Sequence, residues 1–261
     1  MLSFRTYGRR FGVGAVLALV LAAPLPAAAQ SVVVPNSLAA AEGNSNNGFP
    51  FNIATFGLSS QRYQQVYEAS QFSSISGAVL INQIAFRPDA DVGNAFASVL
   101  SSVQINLSTT SKTSSTMSTT FAANVGANDT VVKSGALALS SSDTAGPGGS
   151  RAFDIIISLT TPFLYDPGAG NLLMDVRNFG GGSTTQFDAA SDGSIGRTFT
   201  LVSNGVGDAT GSANADFGLV TRFGYTPAID PIPEPISLAL FGPGLAVLGL
   251  VKRRHRETPG Q

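Results

Sequence analysis

The stretch FDIIISLTTPFLYDPGAGNLLMDVRN, residues 153–178, decides the fold. Two short runs, FDIIISL (153–159) and LLMDVRN (172–178), flank the cluster YDPGAGN. Asp, Pro, Gly and Asn are turn formers: Pro presets φ, Gly admits positive φ, and Asp and Asn bond their own backbone. The flanking runs are too short for helices and rich in β-branched and aliphatic residues, so the stretch reads as strand, turn, strand.

The same grammar repeats outward. AVLINQIAF (78–86), VQINLST (103–109), ALALS (136–140), RTFTLV (197–202) and FGLVTRFGY (217–225) read as strands, several alternating apolar with polar residues as Val103, Ile105 and Leu107 do. RPDADVGN, DTAGPGGS, NFGGGSTT and DAASDGS read as turns. No segment among them shows a long amphipathic helix pattern. Seven or more strands without intervening helices imply an all-β, antiparallel β-sandwich or jelly roll, with residues 30–230 as one domain. A domain of that size buries roughly 70 per cent of its unfolded surface.

Three regions are less decided. Residues 30–60 are polar, with AEGNSNNGFPFN in their middle, and read as a lead-in strand plus loops. In QRYQQVYEASQF (61–72), Tyr63, Val66, Tyr67 and Ser70 suit a helix, whereas Gln/Tyr alternation suits an edge strand, and the surroundings favour strand. STTSKTSSTMSTT (108–120) is Ser or Thr at eleven of thirteen positions. It reads either as a flexible or glycosylated loop or as two Thr-rich strand ends joined by a turn.

Composition removes several kinds of chemistry. The chain has no Cys, and its one His is His255. Residues 30–230 therefore hold no thiolate or imidazole, which excludes Ser-His-Asp and Cys-His catalysis and His-based metal sites there. Between residues 30 and 231, eight Lys or Arg face fourteen Asp or Glu, so that region is acidic and unsuited to nucleic acid.

Carboxylates carry what chemistry remains. A glycan hydrolase needs two facing acids; Asp154 and Asp175, within strand patterns, are the candidates. Calcium takes carboxylate and backbone oxygens from acidic loops. PDADVGN offers Asp89 and Asp91 ahead of Gly93, and FDAASDGS offers Asp188 and Asp192 ahead of Gly193. A lectin-like alternative would stack sugars on Tyr63, Tyr67 and Tyr165.

The two ends carry membrane signals. Residues 1–29 have Arg5, Arg9 and Arg10, an apolar run from Phe11 to Leu25, and small residues at Ala27 and Ala29, the pattern of a secretory signal peptide cut between Ala29 and Gln30. At the other end, Ile236 to Val251 is an uncharged apolar run of sixteen residues. As a helix it would rise about 24 Å, against a bilayer core of about 30 Å. Lys252, Arg253, Arg254 and Arg256 follow and would stop transfer on the cytoplasmic side. Pro233-Glu234-Pro235 stands just before the run, and its prolines hold the backbone extended.

Pro233-Glu234-Pro235, the apolar run 236–251 and the basic cluster 252–256, in that order, resemble the PEP-CTERM sorting signal of Gram-negative bacteria. Pro243, inside the run, departs mildly from that pattern. The resemblance covers residues 231–256 and implies a membrane-embedded exosortase that processes the tail, and an association with exopolysaccharide and biofilm. RYQQVYEASQF, IAFRPD and PFLYDPGAGNLLMDVRNF resemble, loosely, ectodomains that precede such tails. The expected protein is exported and anchored in the membrane with its domain outside, or released to the cell surface after processing. No catalysis is expected of it, no cofactor beyond calcium, and no partner beyond the exosortase, the membrane and exopolysaccharide.

Overall fold

The computed structural model describes residues 30–228. Residues 1–29, read as a signal segment, Pro233-Glu234-Pro235, the apolar run 236–251 and the basic cluster lie outside the described residues. Among the described residues no helix is long and apolar enough to cross a membrane.

Thirteen strands build three antiparallel sheets among the described residues. β1 (Gln30–Val34), β13 (Thr221–Pro227), β4 (Val79–Phe86) and β7 (Ile155–Tyr165) form a four-stranded sheet in that order. β11 (Ser212–Asn214), β10 (Ile195–Phe199), β3 (Gln61–Tyr67), β8 (Asn171–Asn178), β5 (Phe96–Thr110) and β6 (Thr130–Ser141) form a six-stranded one. β12 (Phe217–Leu219), β9 (Phe187–Ser191) and β2 (Ser45–Asn47) make a small third sheet.

The two larger sheets meet in one core. On β8 the alternation that the sequence shows is used directly: Leu172, Met174 and Val176 enter the core, while Asp175 faces outward. On the facing sheet, Phe223 of β13 meets Tyr67 of β3 edge-on, 4.8 Å between ring centroids, and the Tyr67 hydroxyl shares a hydrogen bond with Thr221 at 2.9 Å. Phe72 closes one end against Tyr165 at 5.0 Å, and Phe51, Phe86 and Phe187 close the other within 6.0 Å of one another.

β3 is neither helix nor edge strand. It lies between β10 and β8, and its buried glutamines bond to groups distant along the chain, although Gln61 Oε1 finds no partner among the described residues. Gln65 donates to the Leu219 carbonyl at 2.8 Å, and its Oε1 accepts from the Leu219 amide at 2.8 Å and from the Tyr63 hydroxyl at 2.6 Å. That bridge ties the small sheet to the six-stranded one. A buried amide with every bond made is tolerated, whereas an unsatisfied one costs about 1–3 kcal/mol.

The outer face of β3 and β8 holds Arg62 in a two-pronged pair with Asp175, at 3.1 and 2.5 Å, and Gln64 donates to the same carboxylate at 2.9 Å. Residues 111–127 fold over this face. Phe121 lies under the Arg62 guanidinium at 4.7 Å, and Asn124 donates to Gln64 at 2.9 Å. The hydroxyl-rich run is part of this flap rather than a flexible loop. Ser108 to Thr110 end β5; the Ser114 amide donates to Glu68 at 2.6 Å, and its hydroxyl donates to the Gly193 carbonyl at 2.8 Å.

Other departures are local. RTFTLV stops being a strand at Phe199, FGLVTRFGY divides into β12 and β13, and the turn DAASDGS begins inside β9. Phe223→Ala removes a ring from the inter-sheet contact and is expected to cost about 3–5 kcal/mol, read as a lowered urea midpoint. Val99→Ser, at an exposed position, is expected to stay within about 0.5 kcal/mol of the parent.

Candidate acidic site

Arg87 follows the last residue of β4 and is wholly buried, as is Asp188 on β9. Its Nε donates to Asp188 Oδ2 at 2.7 Å, and Nη2 lies 2.6 Å from the same oxygen. Nη2 also donates to the carbonyls of Leu38, at 3.1 Å, and Ala41. The guanidinium carbon stands 4.6 Å from the centre of the Phe153 ring, and that of Arg222 stands 5.3 Å from the same ring.

Two more carboxylates close on this pair. Glu42 comes from the segment after β1 and accepts from the Ala90 amide at 2.8 Å through Oε1, while its Oε2 is buried with no partner among the described residues. Asp89 accepts from the amides of Asp91 and Val92 at 3.0 and 2.9 Å. One oxygen from each of Glu42, Asp89 and Asp188 lies within 4.8 Å of the others. Gly43 donates its amide to Asp188 Oδ1 at 3.0 Å. A Cβ there would collide with that carboxylate and with the Ala189 carbonyl, so only glycine brings this backbone close enough.

Fully ionised, three carboxylates face one guanidinium at the centre of the cluster. Burial pushes the Asp188 carboxyl up to about 7, against the pull of Arg87 and with the added repulsion of Glu42. Burial likewise raises Glu42, and the Ala90 amide and Arg87 oppose that rise. The two acids release their protons as a pair, in steps that belong to both. Chemically, the trio offers hard oxygen ligands to a cation, or a buried place for a proton.

Of the four loop acids singled out in the sequence, two meet in this trio. Asp89 and Asp188 come together, but Asp91 is exposed on the loop, and Asp192 caps its own turn by accepting from the Ser194 amide at 2.9 Å. Glu42 was missed. Its only local signal is a carboxylate in a polar Asn/Ser/Gly segment, and its neighbours come from far along the chain.

The other candidates resolve differently. Asp175 is held by Arg62 on the outer face of the six-stranded sheet. Asp154 precedes β7 and accepts from the Ser141 hydroxyl at 2.7 Å and the Ser142 amide at 2.9 Å. They share no site. Tyr63, Tyr67 and Tyr165 are fully buried at 0% exposure, so they form no sugar-stacking patch. No protein-family model, curated protein or solved structure matches the chain.

The acids predict the sign of a pH dependence. Their folded pKa values are raised above the unfolded ones, so the folded state holds extra protons from about pH 4 to about pH 7. Stability contributed here is fully present below that window and is lost as pH rises through it, by at most about 1.4 kcal/mol per pH unit per proton. Urea midpoints measured in chelator from pH 4.5 to 8, about the span of the titration, are expected to fall with pH. Glu42→Gln, which keeps an acceptor for Ala90, is expected to flatten the slope.

Proposed function

We propose that this chain is an exported cell-surface or extracellular-matrix protein, sorted through its C-terminal tail by an exosortase-type enzyme and associated with exopolysaccharide. One observation carries the reading: Pro233-Glu234-Pro235, the apolar run 236–251 and the basic cluster Lys252, Arg253, Arg254 and Arg256 stand in that order at the C-terminus. The proposal assigns no catalytic step to the domain. It also leaves no role to the buried tyrosines as a lectin surface.

The geometry of the domain supports the reading. Gln30, the residue after the expected signal cleavage, lies opposite Tyr225 in the ladder between β1 and β13. β13 ends at Pro227, and the Ala228 amide donates to Ala78 at 3.1 Å, just before β4 begins. Both ends of the described domain therefore leave from one pole of the four-stranded sheet. The cluster of Arg87, Asp188, Glu42 and Asp89 sits at the other pole, beyond the far end of β4. A strand of that length separates the poles by about 25 Å. An anchored domain would stand on the first pole and present the acidic one outward.

The test is the mass of the intact mature protein from the cell that makes it. A chain beginning at Gln30 and ending near Pro233-Glu234-Pro235 is expected. A chain running on to Gln261 would overturn tail processing and leave a plain membrane anchor.

A narrower reading accompanies it: Glu42, Asp89 and Asp188 hold a calcium ion, as the buried Glu42 Oε2 without a partner favours. A cation would neutralise the carboxylate excess that Arg87 leaves. Free calcium at a hundred times its Kd is expected to add about 2.7 kcal/mol to the unfolding free energy. Glu42→Gln should lose most of that gain, and a midpoint indifferent to calcium and chelator would remove the ion from the site.

A further inference from the structure

We propose that the mature N-terminus is closed as a lactam, by cyclisation of Gln30 to pyroglutamate. The proposal rests on the export reading, which makes Gln30 the first residue. In the step, the neutral α-amine of Gln30 attacks its own side-chain carboxamide carbon. A C–N bond forms, the bond to the amide nitrogen breaks, and ammonia leaves with the proton that the amine gives up. No oxidant, metal or second substrate is required.

The structure supplies the conditions. Gln30 is exposed, and among the described residues its side chain makes no hydrogen bond, so the carboxamide is free to fold back on the amine. An α-amine has a pKa of about 7.7–8.0, so a reactive neutral fraction exists near neutrality. The ladder tolerates the product. Gln30 opposes Tyr225 at the first rung of β1. The main-chain carbonyl is untouched and the lactam nitrogen keeps one hydrogen, though the ring redirects it, so at most the donor of this first rung is affected. What disappears is the terminal positive charge.

The position also gives the closure a consequence. Among the described residues β1 is an edge strand, with β13 as its one partner in the sheet. It nonetheless places Val32 and Val34 in the core, at 7% and 0% exposure. Removal of residues from a free amino end would strip those valines and expose the flank of β13, a strand edge open to pairing with other chains. A lactam presents no α-amine to an aminopeptidase.

The experiment uses the full-length chain exported by its own cell. Intact cells are treated with an amine-methylating reagent before lysis, so that any free N-terminus is tagged and can no longer cyclise during handling. The N-terminal peptide is then sequenced by mass spectrometry. Most of it is expected to begin at Gln30, untagged and lighter by one ammonia. The Gln30→Ala variant, cut at the same bond, is expected to carry the tag and so shows that the reagent reaches this end. A tagged, uncyclised Gln30 in the parent overturns the lactam and leaves the cleavage between Ala29 and Gln30 standing. A tagged terminus at any other residue, or a retained Met1, overturns that cleavage itself.

Discussion

The ion pair of Arg87 and Asp188 is the junction on which one pole of the molecule depends. Arg87 leaves the four-stranded sheet, Asp188 belongs to the small one, and the Nη2 of Arg87 also holds the carbonyls of Leu38 and Ala41 from the segment that follows β1. Three parts of the chain with no sequence proximity are fixed by one planar donor. Such a pair is a poor source of stability, because desolvating both charges consumes most of what their attraction returns. Its effect is positional. A guanidinium buried without these acceptors would be far costlier than any local rearrangement, so the segments have one arrangement available.

The surplus of negative charge follows from that arrangement. Arg87 answers Asp188 at close range, but Glu42 and Asp89 arrive with it because the 38–43 segment and the loop after β4 are held there. Two other cations lie nearby, and each spends its Nη2 on a backbone carbonyl: Arg222 on that of Phe153 at 2.9 Å and Arg151 on that of Ala90 at 3.2 Å. Elsewhere the molecule avoids such surplus. Asp175 meets Arg62 in two-pronged geometry. The buried amides of β3 find backbone partners: Gln61 donates to the Thr200 carbonyl at 2.9 Å, Gln64 to that of Phe121 at 3.2 Å, and Gln65 to that of Leu219 at 2.8 Å. In the acidic cluster the unmet demand is one of charge: three carboxylates converge and Glu42 Oε2 keeps no partner among the described residues.

What could be read from the sequence was what short-range periodicity carries. LLMDVRN gave β8 because Leu172, Met174 and Val176 alternate with Leu173, Asp175 and Arg177, and the strand obeys that period. β3 resisted because its glutamines look solvent-facing until Leu219, Thr200 and Phe121 are brought beside them, and those partners lie far along the chain. β2 and β11 are three residues each, too short to leave a periodic trace. The grouping of the acids was hidden for the same reason. Spacing coupled Asp89 to Asp91 and Asp188 to Asp192, yet residues two or four apart need not converge. The partner that does converge, Glu42, enters from the far side of the Arg87 junction. Tyr63, Tyr67 and Tyr165 misled for the opposite reason: a tyrosine whose hydroxyl finds an internal acceptor, as Tyr165 does at the Gly170 carbonyl, 3.0 Å away, packs as a core ring.

The ladder between β1 and β13 joins nearly the first and last described residues, with Gln30 opposite Tyr225 and Val34 opposite Thr221. Pairing at such separation carries a large loop-closure cost and gives no return until the chain between has been ordered. β13 is also the strand that joins β1 to β4, so the four-stranded sheet stays incomplete until the C-terminal strand is present. Val32 and Val34 have no buried position before then. A chain threaded across a membrane from its N-terminus would thus emerge with its first strand unpaired, and would complete this sheet only when Thr221 to Pro227 had followed. The first strand of this sheet therefore waits for the last to be made, and their pairing brings both ends to one pole.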